Sequence, residues 1–209
     1  MKVLAIVSRR YNYHEFWASL AVLQERGHEV VVVSSGWALR AEKGYDRAHK
    51  AHHLLSWLDE ADLSVFDGLI VISGNPSDTE GYWHNETVLR AVEKFKDRPI
   101  GAICQAVPTI RFAVRGTKVS YYPVMRAKAL LEEAGAIPNG TVMTRDGLAV
   151  TASYEVVTQT WATEYCNLLE GLPQEYFFHE DAASNVRGKP RREPPEIELL
   201  KRRRTDGDY

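Results

Sequence analysis

Long apolar runs, cysteines and an excess of charge of one sign are all scarce in this chain of 209 residues. No apolar run approaches the roughly 20 residues that a helix needs to cross a bilayer, so a transmembrane protein is not expected. There are two cysteines, Cys104 and Cys166. Small secreted domains stapled by disulfides use many more, so the expectation is a reduced, cytoplasmic protein with free thiols. Against 28 acidic residues stand 26 lysines and arginines, a formal charge of −2. A global basic field of the kind that drives nucleic-acid binding is thereby excluded, and a nucleic-acid partner is not expected. At the N-terminus Lys2 precedes only the short apolar stretch 3–7, and Arg9 and Arg10 follow at once, a pattern that predicts no secretory leader. No segment repeats internally.

What the chain does have is enough apolar material for a core. Hydrophobic residues make up 44% and charged residues 26%. Continuous apolar, β-branched runs at 3–7 and 29–34 read as buried strands, and 69–72 and 99–103 as further strands. Between and after them, apolar residues recur at helical spacing over 13–26, 85–96, 105–114, 123–134 and 154–169. Asn12 is placed to cap the first of these helices, with Glu15 at the capping-box position and Gly27 as its C-cap. Residues 73–76 read as a loop. Short strands are expected at 141–143 and 148–151 around an Arg145-Asp146-Gly147 turn. Strands alternating with helices imply an α/β sandwich with a mainly parallel sheet. The domain is expected over residues 1–181. Residues 182–209 form a basic, proline-containing tail that includes Lys201-Arg202-Arg203-Arg204 and is poor in large apolar groups. It is expected to be flexible, either a solubilising tail or a contact for a polyanion or partner.

The most informative segment is Ile100-Gly101-Ala102-Ile103-Cys104-Gln105-Ala106-Val107-Pro108. A strand ends, a cysteine sits on the turn, and a helix is expected to begin. Ala102 and Ala106 supply the small-x-nucleophile-x-small spacing of a nucleophile elbow, where strand and helix backbones approach closely. A helix N-terminus with free N–H groups favours thiolate. The bland alternative is a small buried hydrophobe, which free cysteine often is.

Phe66-Asp67-Gly68-Leu69-Ile70-Val71-Ile72-Ser73-Gly74-Asn75, then Asn85-Glu86, then Pro99-Ile100-Gly101-Ala102-Ile103-Cys104, and the segment from Asp146 to Ala152, resemble the ThiJ/PfpI superfamily in order and spacing. The resemblance covers about residues 1 to 171. It implies a flavodoxin-like, class I glutamine amidotransferase-like fold: a three-layer α/β sandwich with a mainly parallel sheet flanked by helices on both faces. It also implies a homodimer. Family members include deglycases, isonitrile and cyclic-imide hydratases, chaperone-like proteins and oxidative-stress sensors. By the resemblance Cys104 is the nucleophile and Glu15 the acidic residue that hydrogen-bonds it. Gly74 and Asn75 fall at the oxyanion loop, whose N–H groups, with that of Gln105, would hold negative charge. Three positions depart from the family. Gln105 stands where many members have a histidine, Tyr122 stands where others supply one, and Asn75 replaces the second glycine of the loop. A Cys-His-Asp triad is therefore not carried over.

Other histidines are candidate substitutes. His84, in the loop after Gly74, could supply an imidazole, or is simply solvated. His49 and His53 are four apart and would share a helix face, but no third ligand stands at a diagnostic spacing, so no metal is expected. His179-Glu180 follows the last helix and is discounted. Cys166, beside Leu168 and Leu169, reads as core. The expectation is a small-molecule enzyme without a cofactor, in which Cys104 attacks an electrophilic carbon (carbonyl, imide or isonitrile) and Glu15 moves the proton. The alternative is a redox-responsive or partner-binding protein on the same fold.

Overall fold

The computed structural model describes residues 1–34, 40–42, 54–58 and 61–175. The expected tail, His49, His52, His53 and His179 lie outside the described residues. Seven strands form the central sheet: β1 (Lys2–Val7), β3 (Glu29–Ser34), β5 (Leu54–Trp57), β6 (Gly68–Ile72), β7 (Ile100–Ile103), β10 (Met143–Asp146) and β11 (Ala149–Ala152). Their order is β10-β11-β7-β6-β1-β3-β5. Every neighbouring pair is parallel except the β10–β11 hairpin. Two short parallel pairs lie beside it: β2 (Arg10–Asn12) with β4 (Arg40–Glu42), and β8 (Lys118–Val119) with β9 (Ile137–Pro138). The helices are α1 (Tyr13–Glu25), α2 (Pro76–Tyr82), α3 (Glu86–Glu93), α4 (Met125–Glu133) and α5 (Thr158–Leu169).

The β-branched runs predict burial on both faces, and strand alternation divides them between two cores. From β1, Leu4 and Ile6 enter one core with Leu69, Val71, Val88, Val92, Ile110 and Leu131. Val3, Ala5 and Val7 enter the other with Ile70, Phe16, Leu20, Trp161 and Tyr165. Helices α3 and α4 thus cover one face, and α1 with α5 the other, which is the three-layer α/β sandwich. Gly101 lies where α5 packs directly on the sheet: a Cβ there would stand 2.9 Å from both Trp161 and Tyr165. No helix among the described residues is long and apolar enough to cross a membrane.

The structure differs from expectation in four places. The helix expected at 105–114 is a 3-10 helix, Cys104–Ile110. Cys104 stands at φ 58°, outside helical space, and Pro108 has no N–H to complete an α-helical turn. No helix is expected directly after the loop at 73–76, yet residues 76–82 form α2: Asn75 caps it through Ser77 N, and Pro76 occupies the first turn. The hairpin turn falls on Gly147 and Leu148, because Gly147 takes positive φ and strand pairing continues to Asp146. The last helix begins at Thr158, after the separate 3-10 turn Glu155–Val157.

Candidate active site

The three central strands β1, β6 and β7 run parallel, and their carboxyl ends deliver Ser8, Ser73 and Cys104 to the same edge of the sheet. This is the edge where open α/β sheets bind ligands. A cleft of about 400 Å³ opens there, lined by Asn12, Ser73, Gly74, Asn75, Pro76, Cys104, Gln105, Tyr122, Tyr154, Glu155 and Val156. Of the site residues expected from the sequence, Cys104, Gly74, Asn75, Gln105 and Tyr122 come together in this wall. Glu15 is fully buried behind it.

Glu15 is positioned by backbone pairing. Segment 10–12 runs antiparallel to segment 73–75, with Asn12 N donating to Ser73 O at 2.8 Å and Asn75 N to Arg10 O at 2.7 Å. Asn12 then caps α1, accepting from His14 N and Glu15 N. The capping-box bond expected from Glu15 back to Asn12 N is not made, because that N–H is given to Ser73. The Glu15 carboxyl turns inward instead. Its Oε2 accepts from Ser73 N at 3.0 Å and from Ser73 Oγ at 2.6 Å. Oε1 is buried with no N–H or O–H partner, and the Cys104 thiol is the carboxyl's remaining hydrogen-bonding neighbour.

Cys104 is the single non-glycine residue with positive φ among the described residues. A β-carbon in this region is strained by about 1–3 kcal/mol and persists where packing over-determines it. Trp83 supplies one such clamp: its fully buried indole donates Nε1–H to Gln105 O at 2.8 Å. Across the cleft, Gly74 lets its loop lie against the backbone of Arg10 and Tyr11, where a Cβ would collide. Bidentate pairing of Arg10 with Asp78, at 2.8 and 3.0 Å, ties α2 to the same segment.

Burial dominates the electrostatics. It raises Glu15 from 4.5 to about 8, against the lowering effect of the Ser73 hydrogen bonds, and Glu155 adds to the rise. Glu15 is therefore a neutral acid at pH 7. Since Oε2 accepts two hydrogen bonds, the proton belongs on Oε1. Burial, then the charge of Glu15, push Cys104 from 9.0 up to about 12, while Gln105 N–H and Ser73 Oγ pull it back. The thiolate that a helix N-terminus would favour is not stabilised. A 3-10 turn beginning at a left-handed residue aims only Gln105 N–H at the sulfur.

Two further expectations change. Gly74 N donates to Thr79 Oγ1 at 2.9 Å and Asn75 N to Arg10 O. With both amides committed inside the protein, this loop is a wall of the cleft and not its anion-holding donor. His84 is exposed and does not line the cleft, nor does any other histidine among the described residues. Tyr122 does line it, its ring set edge-on to Tyr154 at 5.9 Å. Cys166 is buried in the core between α1 and α5, as expected.

Sequence reasoning missed Ser73, Trp83, Tyr154 and Glu155. Ser73 closes a strand and reads as an ordinary loop serine. Glu155 reads as a first-turn helix acid. Only the fold sets Glu155 against Asn12, whose Nδ2 donates to its carboxylate at 2.6 Å.

Residues 1–167 match the DJ-1/PfpI family. The chain is similar to an uncharacterized protein of Methanocaldococcus jannaschii, 26% identical over 175 residues, covering 81% of this chain and 82% of that one. In structure it is similar to a ThiJ/PfpI domain protein from Brachyspira murdochii, with TM-score 0.71 and 15% identity over 82% of this chain and 98% of that one. It is also similar to oxidized DJ-1 from Toxoplasma gondii, with TM-score 0.66 and 17% identity over 88% and 95% of the two chains. The match over most of the length, together with a cysteine on a strained turn at the carboxyl edge of a parallel sheet, makes this chain a member of the DJ-1/PfpI family.

Proposed function

We propose that this protein is a small-molecule enzyme of hydrolase, hydratase or deglycase type, with Cys104 as nucleophile and Glu15 as proton shuttle. The observation that carries this reading is the pairing of a strained cysteine on a cleft wall with a buried, otherwise unengaged carboxyl oxygen. Once Glu15 has lost its proton, its carboxylate accepts the Cys104 S–H proton as sulfur attacks the electrophilic carbon. The C–S bond forms; on a carbonyl or imide the π electrons move to oxygen and Glu15 returns the proton there, whereas on an isonitrile the electron pair stays on the attacked carbon and Glu15 returns the proton to that carbon, giving a thioimidate. Gln105 N–H, already directed at the sulfur, is the nearest backbone donor for the developing charge, and the Tyr122 hydroxyl can hydrogen-bond substrate.

The pair sheds its first proton at about pH 8, on Glu15. Activity should therefore rise with pH through that value. The test is a panel of small aldehydes, cyclic imides and isonitriles turned over by wild type, Cys104→Ser and Glu15→Gln. Turnover is expected in wild type and at least about a hundredfold less in Cys104→Ser. Equal turnover by wild type and Cys104→Ser would remove the nucleophile. The homodimer implied by the family resemblance is part of the proposal. Light scattering should give twice the chain mass of 23.7 kDa, and a monomer would overturn it.

A second reading, binding without turnover, is favoured by the thiol's rise to about 12, which leaves little thiolate at neutral pH. It predicts saturable binding of the same compounds by Cys104→Ser and wild type alike, with no product from either.

A further inference from the structure

Among the described residues that line the cleft, Glu155 is the one acidic or basic side chain. The other lining residues are amides, hydroxyls, phenols, a thiol and apolar groups, with no lysine, arginine or histidine among the described residues that line it. Glu15, behind the wall, is the neutral acid already described. Glu155 is exposed at the mouth, and among the described residues its carboxylate accepts one hydrogen bond, from Asn12 Nδ2, a neutral amide. Among the described residues no cation pairs with its charge, and that charge acts on the reacting pair: it is among the influences that raise both Glu15 and Cys104. Tyr154, its chain neighbour, and Tyr122 add two aromatic rings to the same wall. Ring faces attract cations and do nothing for carboxylates. A cleft lined by one sign of charge concentrates ligands of the other sign.

We infer that Glu155 is a specificity-determining residue that makes the cleft select a small cationic molecule, carrying an ammonium or guanidinium group, over an anionic one of the same size. The substrate class so named rests on the proposed function. The electrostatic selection itself is a property of the cleft and is measurable without turnover.

The experiment uses two methanethiosulfonates of equal reach, one ending in an ammonium (2-aminoethyl) and one in a sulfonate (2-sulfonatoethyl). In each, the Cys104 sulfur displaces methanesulfinate and forms a mixed disulfide, and the thiol proton passes to solvent. Rates at Cys104, read by mass spectrometry of the intact chain at low salt, are each divided by the rate with a neutral free thiol. Cys104→Ser reports any background at Cys166. In wild type the normalised ammonium rate should exceed the sulfonate rate by about tenfold, falling toward parity in high salt. Glu155→Gln should bring the ratio close to one, and Glu155→Lys should invert it, with circular dichroism confirming that both variants fold. A wild-type ratio near one, or a ratio that Glu155→Gln leaves unchanged, overturns the inference. An inactive protein that shows the expected ratio instead removes the enzyme reading and leaves Glu155 its role.

Discussion

Glu15 carries two consequences that one side chain makes measurable. Its carboxyl is held at about 8 in the folded protein against 4.5 in the unfolded chain. Below 4.5 both states keep the proton and nothing is lost. Between 4.5 and 8 the unfolded chain ionises while the folded one does not, so the stability that the neutral buried acid contributes declines by about 1.4 kcal/mol per pH unit across that window. Above 8 the loss levels off. Glu15→Gln keeps the acceptor for Ser73 and cannot ionise. Denaturant titrations from pH 4 to 9 should show a flatter profile for Glu15→Gln than for wild type, and parallel profiles would place the proton elsewhere. The same variant removes the Glu15 charge that pushes the Cys104 thiol up, so Cys104 alkylation above pH 8 should be faster in Glu15→Gln than in wild type. Glu15 itself was legible in the sequence as a family position. Its partner Ser73 was not, because hydrogen bonds across 58 residues leave no local trace.

Among the elements, the strand and turn that carry Cys104 hold the most constraint. Strand β7 is short, and Gly101 lets Trp161 and Tyr165 of α5 pack directly on its backbone. Gly101→Val would drive a branched side chain into both rings. A loss of roughly 1–3 kcal/mol is expected in thermal or urea unfolding, with a smaller loss in Gly101→Ala, and no change would refute the close approach. Helix α1 depends on Asn12 for its cap, and the same amide reaches Glu155. Replacing it with alanine should lower stability by about 1 kcal/mol and weaken the charge selectivity of the cleft, since Glu155 loses its tether. Unchanged values in both measurements would separate the cap from the site. Element types were mostly readable from periodicity. The 3-10 form after Cys104 was not, since Pro108 and a left-handed residue override an otherwise helical pattern.

For the molecule as a whole, the far edge of the sheet is closed by a buried ion pair. Glu164 on α5 is fully buried and pairs with Arg145 of β10 at 2.8 Å. Arg145 also donates to Leu172 O, and Glu164 accepts from Glu175 N, so hairpin, last helix and the segment beyond it meet at one point. Removing one partner of a buried pair leaves an uncompensated charge. Arg145→Met should therefore cost about 3–5 kcal/mol, whereas the double variant Arg145→Met/Glu164→Leu should recover much of the loss. Equal losses in the single and double variants would show that the pair is not what closes this edge.

The sequence by itself determined the layered α/β architecture and the placement of Cys104 on a strand-to-turn junction, while the company of Glu15, Gly74, Asn75, Gln105 and Tyr122 was what the family resemblance implied. Apolar periodicity and turn residues are local signals, and they survive in one dimension. Tertiary structure alone decided which way those groups point and which donors remain free. It gave the amides of Gly74 and Asn75 to Thr79 and Arg10, left His84 in solvent, turned Glu15 from a helix cap into a neutral acid beside sulfur, and brought Glu155 to the rim. Each of these outcomes depends on burial and on bonds between distant segments, and both arise only once the sheet has assembled and excluded water.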